Sequence, residues 1–254
     1  MLMEFVGHGA WGVITKAAWV PYFGVFGVSE RTAYQLMPVV GTMDITLGVI
    51  GFMTPRRWAL AYGAFWGLFT ALLRPAAGES WWEVLDRGGN ILGPFTFLML
   101  SGFPRAARDW WEPIQWKPVT REQLRGIARS LKILTVSILI GHGAYGALLQ
   151  KQDLQDQYMN LGLTGLPMIG TGFISVLGWI EIALGLAILF RPLRAFALAA
   201  CLFKIVTESF YPLAGTRVQW WEWVERGFTY LGPLALFFVL PHVKEEKPAR
   251  EEGT

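Results

Sequence analysis

Two histidines carry the first chemical signal, because each sits in the same glycine-rich frame. Gly7-His8-Gly9-Ala10-Trp11-Gly12 returns 134 residues later as Gly141-His142-Gly143-Ala144-Tyr145-Gly146. An imidazole can ligate iron, hydrogen-bond a carbonyl, or carry a proton. Flanking glycines let a neighbouring helix or a flat ring come close. Three readings follow: a pair of axial ligands to haem b, hydrogen bonding to a quinone, and a structural bond from each histidine to a nearby carboxylate. The carboxylates are Asp44 and Glu181, in Asp44-Ile45-Thr46-Leu47-Gly48 and Glu181-Ile182-Ala183-Leu184-Gly185, 137 residues apart. Each lies in an apolar run, where an isolated carboxylate must be protonated or paired. Lys204 and Glu208 are i, i+4 on one helical face, and Gly67 and Ala71 hold the equivalent places earlier in the chain. They form either a neutral structural pair or part of a site. Only the second half carries the full set. His142, Glu181, Lys204 and Glu208 are therefore the expected catalytic group. His8, His142, Asp44, Glu181, Trp221 and Arg226 are the expected cofactor contacts.

A further polar motif is also duplicated. Trp81-Trp82-Glu83 with Asp86-Arg87 returns as Trp220-Trp221-Glu222 with Glu225-Arg226, 139 residues on. Acids in a first helical turn favour the dipole, and paired tryptophans prefer the membrane interface. The motif reads either as a helix cap and anchor or as an outward-facing polar mouth leading to the mid-membrane group. No phosphate loop, dinucleotide fingerprint, nucleophile elbow or zinc spacing occurs in the sequence. The single Cys201 excludes an internal disulfide and a cysteine-ligated cluster within the chain. No metal site is expected.

The elements that must position these residues are membrane helices. Of 254 residues, 53% are hydrophobic, 15% aromatic and only 16% charged, against about a quarter charged in ordinary globular domains. That balance excludes a soluble enzyme and a disordered chain. A net charge of +3 is too small a basic excess to indicate nucleic acid as a partner. Apolar runs near bilayer length place spans at about 2–20, 36–53, 57–74, 84–103, 131–150, 173–190, 193–212 and 222–241. Pro55 and Pro192 sit in turns between consecutive spans, and Pro94 and Pro233 should kink the fourth and eighth. With an even number of spans, Lys and Arg favour the side of the termini about two to one, so both termini are expected in the cytoplasm. The first apolar stretch lacks a basic start, so no cleavable signal is expected.

The duplicated blocks recur in one order, which indicates an internal repeat. Four spans per copy make the copies parallel. The expected fold class is an all-α integral membrane protein, with eight transmembrane helices as two parallel four-helix bundles. Residues 1–103 form the first repeat and 131–241 the second. Between them, 104–130 is a cytoplasmic interfacial linker, in which Thr120 and Gln123 resemble a capping box. Arg121, Arg125 and Arg129 follow on one face of a basic amphipathic helix, suited to anionic lipid or a docking protein. Residues 242–254 are a charged tail.

At Gly178-Trp179-Ile180-Glu181-Ile182-Ala183-Leu184-Gly185 the second half resembles the DoxX/DoxD family. In that family a His-Gly element lies in the first helix and a Gly-x-x-Glu element in the second. His142-Gly143 and Glu181 match both, and His8-Gly9 matches in the first half, where Asp44 replaces the glutamate. The family's lysine shortly after His-Gly is replaced by Gly12 and Gly146, with Lys16 and Lys151 later. The resemblance implies a four-helix bundle per half, a bacterial cytoplasmic membrane, and a link to quinone-dependent redox systems. The expected function is a membrane subunit of a quinone-linked redox complex. The alternatives are a non-catalytic subunit assembling a larger respiratory or photosynthetic complex, whose partners are lipids and other membrane subunits, and a small-solute transporter.

Overall fold

The computed structural model describes residues 1–163, 171–215 and 219–244, and these are helical with no strand among them. Twelve α-helices follow in order: α1 (Leu2–Val13), α2 (Val20–Gly24), α3 (Glu30–Met53), α4 (Arg57–Ala76), α5 (Trp82–Asp86), α6 (Gly88–Ser101), α7 (Arg121–Ala147), α8 (Gln152–Asn160), α9 (Thr171–Phe190), α10 (Arg194–Ala214), α11 (Trp220–Glu225) and α12 (Gly227–Lys244). The tail beyond Lys244 lies outside the described residues.

Among the described residues, three helices are long and apolar enough to cross a membrane: α3, α9 over Gly172–Phe190, and α10. The pair α7 and α8, bent by 80°, is a fourth if taken as one broken span. The surface agrees with such an environment. Phe52, Met53, Phe65, Trp179, Phe190, Leu202 and Phe238 are exposed, whereas Asp44, Glu181, Lys204 and Glu208 are buried. Apolar side chains outside and ionisable ones inside is the arrangement that lipid selects.

Element boundaries depart from the sequence expectation where local chemistry intervenes. The first run was expected to continue to 20, but α1 stops at Val13, because Thr15 adopts φ +59° and turns the chain. At 12 residues it is only about 18 Å long. Ser29 accepts a hydrogen bond from the Thr32 amide and so starts α3 six residues before the expected 36. The fourth and last runs are each broken, but not at their prolines. Pro94 and Pro233 lie inside α6 and α12. The breaks fall at Arg87 (φ −84°, ψ 10°) and Arg226 (φ −83°, ψ 19°), which share one bridge-region conformation. The Thr120–Gln123 capping box is formed in both directions, and it opens a single 27-residue helix. The basic segment and the span expected from 131 are thus one element.

The remainder of the linker is pinned to the start of α4. Arg57 donates to the carbonyls of Gly102 and Ser101, both at 2.8 Å, and of Asp109 at 3.0 Å. The Ile114 amide donates to Pro55 at 2.8 Å, and Trp58 packs on Trp111.

Helix pairing follows a matched pattern. α1 packs on α3 and α7 on α9; α4 packs on α6 and α10 on α12. Across the halves, α1 meets α11 and α7 meets α5. Glycines make the first-helix contacts feasible. A Cβ on Gly9 would stand 2.4 Å from the Gly41 carbonyl oxygen, and one on Gly143 would stand 2.7 Å from that of Gly178. The largest apolar core lies among α7, α9, α10 and α12, around Leu139, Ile188, Ala200 and Leu236.

Candidate functional site

The tight α7–α9 and α1–α3 pairings bring each histidine onto its carboxylate. His142 Nδ1 is 2.8 Å from Glu181 Oε2, and His8 Nδ1 is 2.7 Å from Asp44 Oδ2. Both pairs match the structural bonds that the sequence allowed.

Around His142 the pair is one corner of a larger network. From α10, Lys204 Nζ reaches Glu181 Oε1 at 3.0 Å and Glu208 Oε1 at 2.6 Å. Glu208 Oε1 lies 3.9 Å from His142 Nε2, too far for a hydrogen bond. Its other oxygen is 3.5 Å from Arg226 Nε, and Arg226 Nη1 is 3.8 Å from Asp86 Oδ2. The chain of groups therefore runs from mid-helix α9 to the break between α11 and α12. Arg226 Nε also lies 3.7 Å from Glu222, whose charge Lys16 balances, and apart from that pair three carboxylates, Glu181, Glu208 and Asp86, meet two strong cations, Lys204 and Arg226. With a neutral imidazole the set carries one negative charge, and with an imidazolium it is neutral. Lys204 and Glu208 are fully buried, so little water is present to screen a stray charge.

All four expected catalytic residues thus share one cluster, and Arg226 joins them. Asp44 and His8 form a separate pair in the first half. Trp221 is exposed at the start of α11.

The nitrogen of His142 left by Glu181 faces Glu208 Oε1 at 3.9 Å, a carboxylate where an axial bond to haem iron would need open space.

Between the halves lies a polar cavity of about 470 Å³, whose walls include Lys16, Glu83, Arg87, Lys151, Glu222 and Arg226. Its ion pairs cross from one half to the other. Lys16 pairs with Glu222 and Lys151 with Glu83. Arg87 Nη1 donates to Glu225 Oε1 at 2.9 Å. Lys16 and Lys151 each lie over the ring that follows their histidine, Trp11 at 4.1 Å and Tyr145 at 4.0 Å. The glutamate of each duplicated Trp-Trp-Glu motif is therefore part of a cross-half lock, and it makes no side-chain cap bond at the start of α5 or α11. Sequence reasoning noted the two lysines without giving them partners. Their 135-residue offset, one more than that of the histidines, was the available signal. Glu4, buried on α1, was also missed, although it stands one turn before His8.

A second cavity, of about 180 Å³, lies within the first half. His8 forms part of its wall, with Trp19, Phe23, Phe26, Trp66 and Phe69 around it. Among the described residues no group of three or more His, Cys, Asp or Glu is placed to hold a metal ion.

No protein-family model, curated protein or solved structure matches the chain.

Proposed function

We propose that this chain is an eight-span membrane protein of two parallel four-helix repeats, of the DoxX/DoxD kind, and that it serves as the membrane subunit of a quinone-linked redox complex. In this reading it resides in a bacterial cytoplasmic membrane with both termini inside. Its second repeat holds a proton at mid-depth and exchanges it with the polar cavity between the repeats. The observation that supports this most is the hydrogen-bonded series His142, Glu181, Lys204 and Glu208, continued by the looser ionic contacts of Arg226 and Asp86, a set one proton short of neutrality when the imidazole is unprotonated. A group that changes charge by one proton, walled by fixed ions, is suited to relay work.

A second reading is supported by the exterior. Trp81, Trp111, Trp116, Trp179 and Trp220 are all exposed, and such side chains suit extensive contact with lipid and with other membrane subunits. In that reading the buried ions only hold the bundle together.

The two separate in one experiment on the complex purified from its own membrane. Glu181→Gln and His142→Ala should lower quinone-linked turnover at least tenfold while the complex stays intact. Turnover unchanged in both, with dissociation on Trp111→Ala and Trp116→Ala, would replace the redox reading by the accessory one. Solute flux into liposomes carrying the purified chain alone would favour the transporter.

A further inference from the structure

The aromatic cavity of the first half has a built polar point. His8 gives Nδ1 to Asp44 at 2.7 Å. In the pairing of a neutral imidazole with an ionised Asp44, which the proposal takes, Nδ1 carries the proton and Nε2 is left as a lone-pair acceptor. Among the described residues no hydrogen bond engages Nε2, and His8 lies in the cavity wall, its ring tilted on Trp19 at 4.5 Å. Most other walls are apolar or aromatic: Phe23, Phe26, Val40, Phe69 and Leu73. The Thr70 hydroxyl is already spent on the Trp66 carbonyl at 2.9 Å. Trp66 also lines the cavity, and its indole N–H is buried without an acceptor. Phe26, on the rim, is exposed on the outer surface of the protein. The far rim is held by Tyr22, which hydrogen-bonds both Arg74 and Glu79.

We propose that this cavity binds the ring of a lipid-soluble phenol, whose hydroxyl donates to His8 Nε2. The ring class follows from the aromatic walls, which favour offset or edge contacts with a flat partner. The hydroxyl follows from the acceptor: a carbonyl or an ether has no proton to offer a lone pair. Entry from lipid follows from the exposed Phe26 and rests on the membrane reading. The site differs from the His142 cluster, where Lys204 and Glu208 occupy the places that Gly67 and Ala71 hold here. It deepens the redox proposal without needing it, because the reduced form of a quinone is one such phenol.

The test is equilibrium binding of tritiated 4-nonylphenol and of its methyl ether to the full chain in phosphatidylcholine nanodiscs, with empty nanodiscs subtracted. The phenol should saturate at one per chain, and the ether should bind at least about tenfold more weakly, the worth of one hydrogen bond. Leu73→Trp, which fills the cavity, should abolish saturable binding of both. His8→Phe should bring the phenol down to the level of the ether. Equal affinity of phenol and ether for the unaltered protein overturns the proposal, and so does saturable binding that survives Leu73→Trp. The unaltered protein decides the first point even if a variant does not fold. The assay contains no reductant or partner. Phenol binding without quinone-linked turnover therefore sinks the redox reading alone, and turnover without phenol binding sinks this site alone.

Discussion

At the level of single residues, the molecule places most of its buried ionisable side chains next to one of opposite sign, as with Lys204 between Glu181 and Glu208. Removing one member of a buried ion pair costs about 3–5 kcal/mol, because the partner is stranded, whereas replacing both with apolar groups is close to neutral. Lys204→Met should therefore lower the thermal midpoint sharply, leaving Glu181 and Glu208 facing each other without their cation. Lys204→Met with Glu208→Leu should recover much of that loss, and a double-mutant cycle on the thermal midpoint in detergent measures the recovery. Pairs within one half were legible in the sequence: His8 with Asp44 and His142 with Glu181 because they recur at nearly fixed spacing inside apolar runs, Lys204 with Glu208 because they stand i, i+4 on one helical face. Lys16 with Glu222 and Lys151 with Glu83 were not, because helical periodicity reports which side chains share a face and carries nothing about which face meets another helix. Exchanging the second pair tests the lock directly. Lys151→Glu should destabilise, and adding Glu83→Lys should restore at least half of the lost thermal midpoint.

Helices and turns show where local signals compete. The Thr120–Gln123 cap and the turns at Pro55 and Pro192 formed where the residue types pointed. The breaks at Arg87 and Arg226 had a cue in Gly88-Gly89 and Gly227, which follow them directly, but the prolines drew the expectation seven residues downstream. At the break each arginine reaches an acid of the other half, Arg87 to Glu225 and Arg226 to Asp86. Helix approach is similarly unforgiving. Gly143→Val should disrupt the α7–α9 pairing and with it the His142–Glu181 bond, at a cost of about 1–3 kcal/mol or more, read as a lower thermal midpoint and weaker expression. In the linker, Asp109 accepts from the amides of Arg105 and Ala106, both at 2.9 Å. These bonds hold its carboxyl below the usual carboxylate range. A lowered folded-state value contributes order above the ordinary aspartate pKa of about 4 and loses it as pH falls through the lower one. Amide exchange at Arg105 and Ala106 should thus accelerate, beyond its intrinsic pH trend, only below about pH 4, and Asp109→Asn should remove that dependence.

On the scale of the whole chain, composition announced a lipid environment, and the exposed apolar exterior agrees with it. Equal spans were harder to read. Hydropathy averages over a window, so it merged α1 with the residues after its turn at Thr15 and could not separate α5 from α6. The cavities were not legible at all, because empty space depends on how side chains of distant segments meet. The charge cluster, by contrast, follows one substitution pattern: where the second half has Lys204 and Glu208, the first has Gly67 and Ala71.

The reciprocal seating of α1 on α11 and of α7 on α5 is the contact set that two separate, identical polypeptides would make about a dyad. A free pair of that kind must accept every amino-acid change twice, so an ammonium group introduced beside one imidazole would arrive beside the other as well. Joining the two into one continuous chain removes that obligation. Each half then holds its own arrangement, the second a cluster of fixed ions and the first a cavity walled largely by aromatic rings.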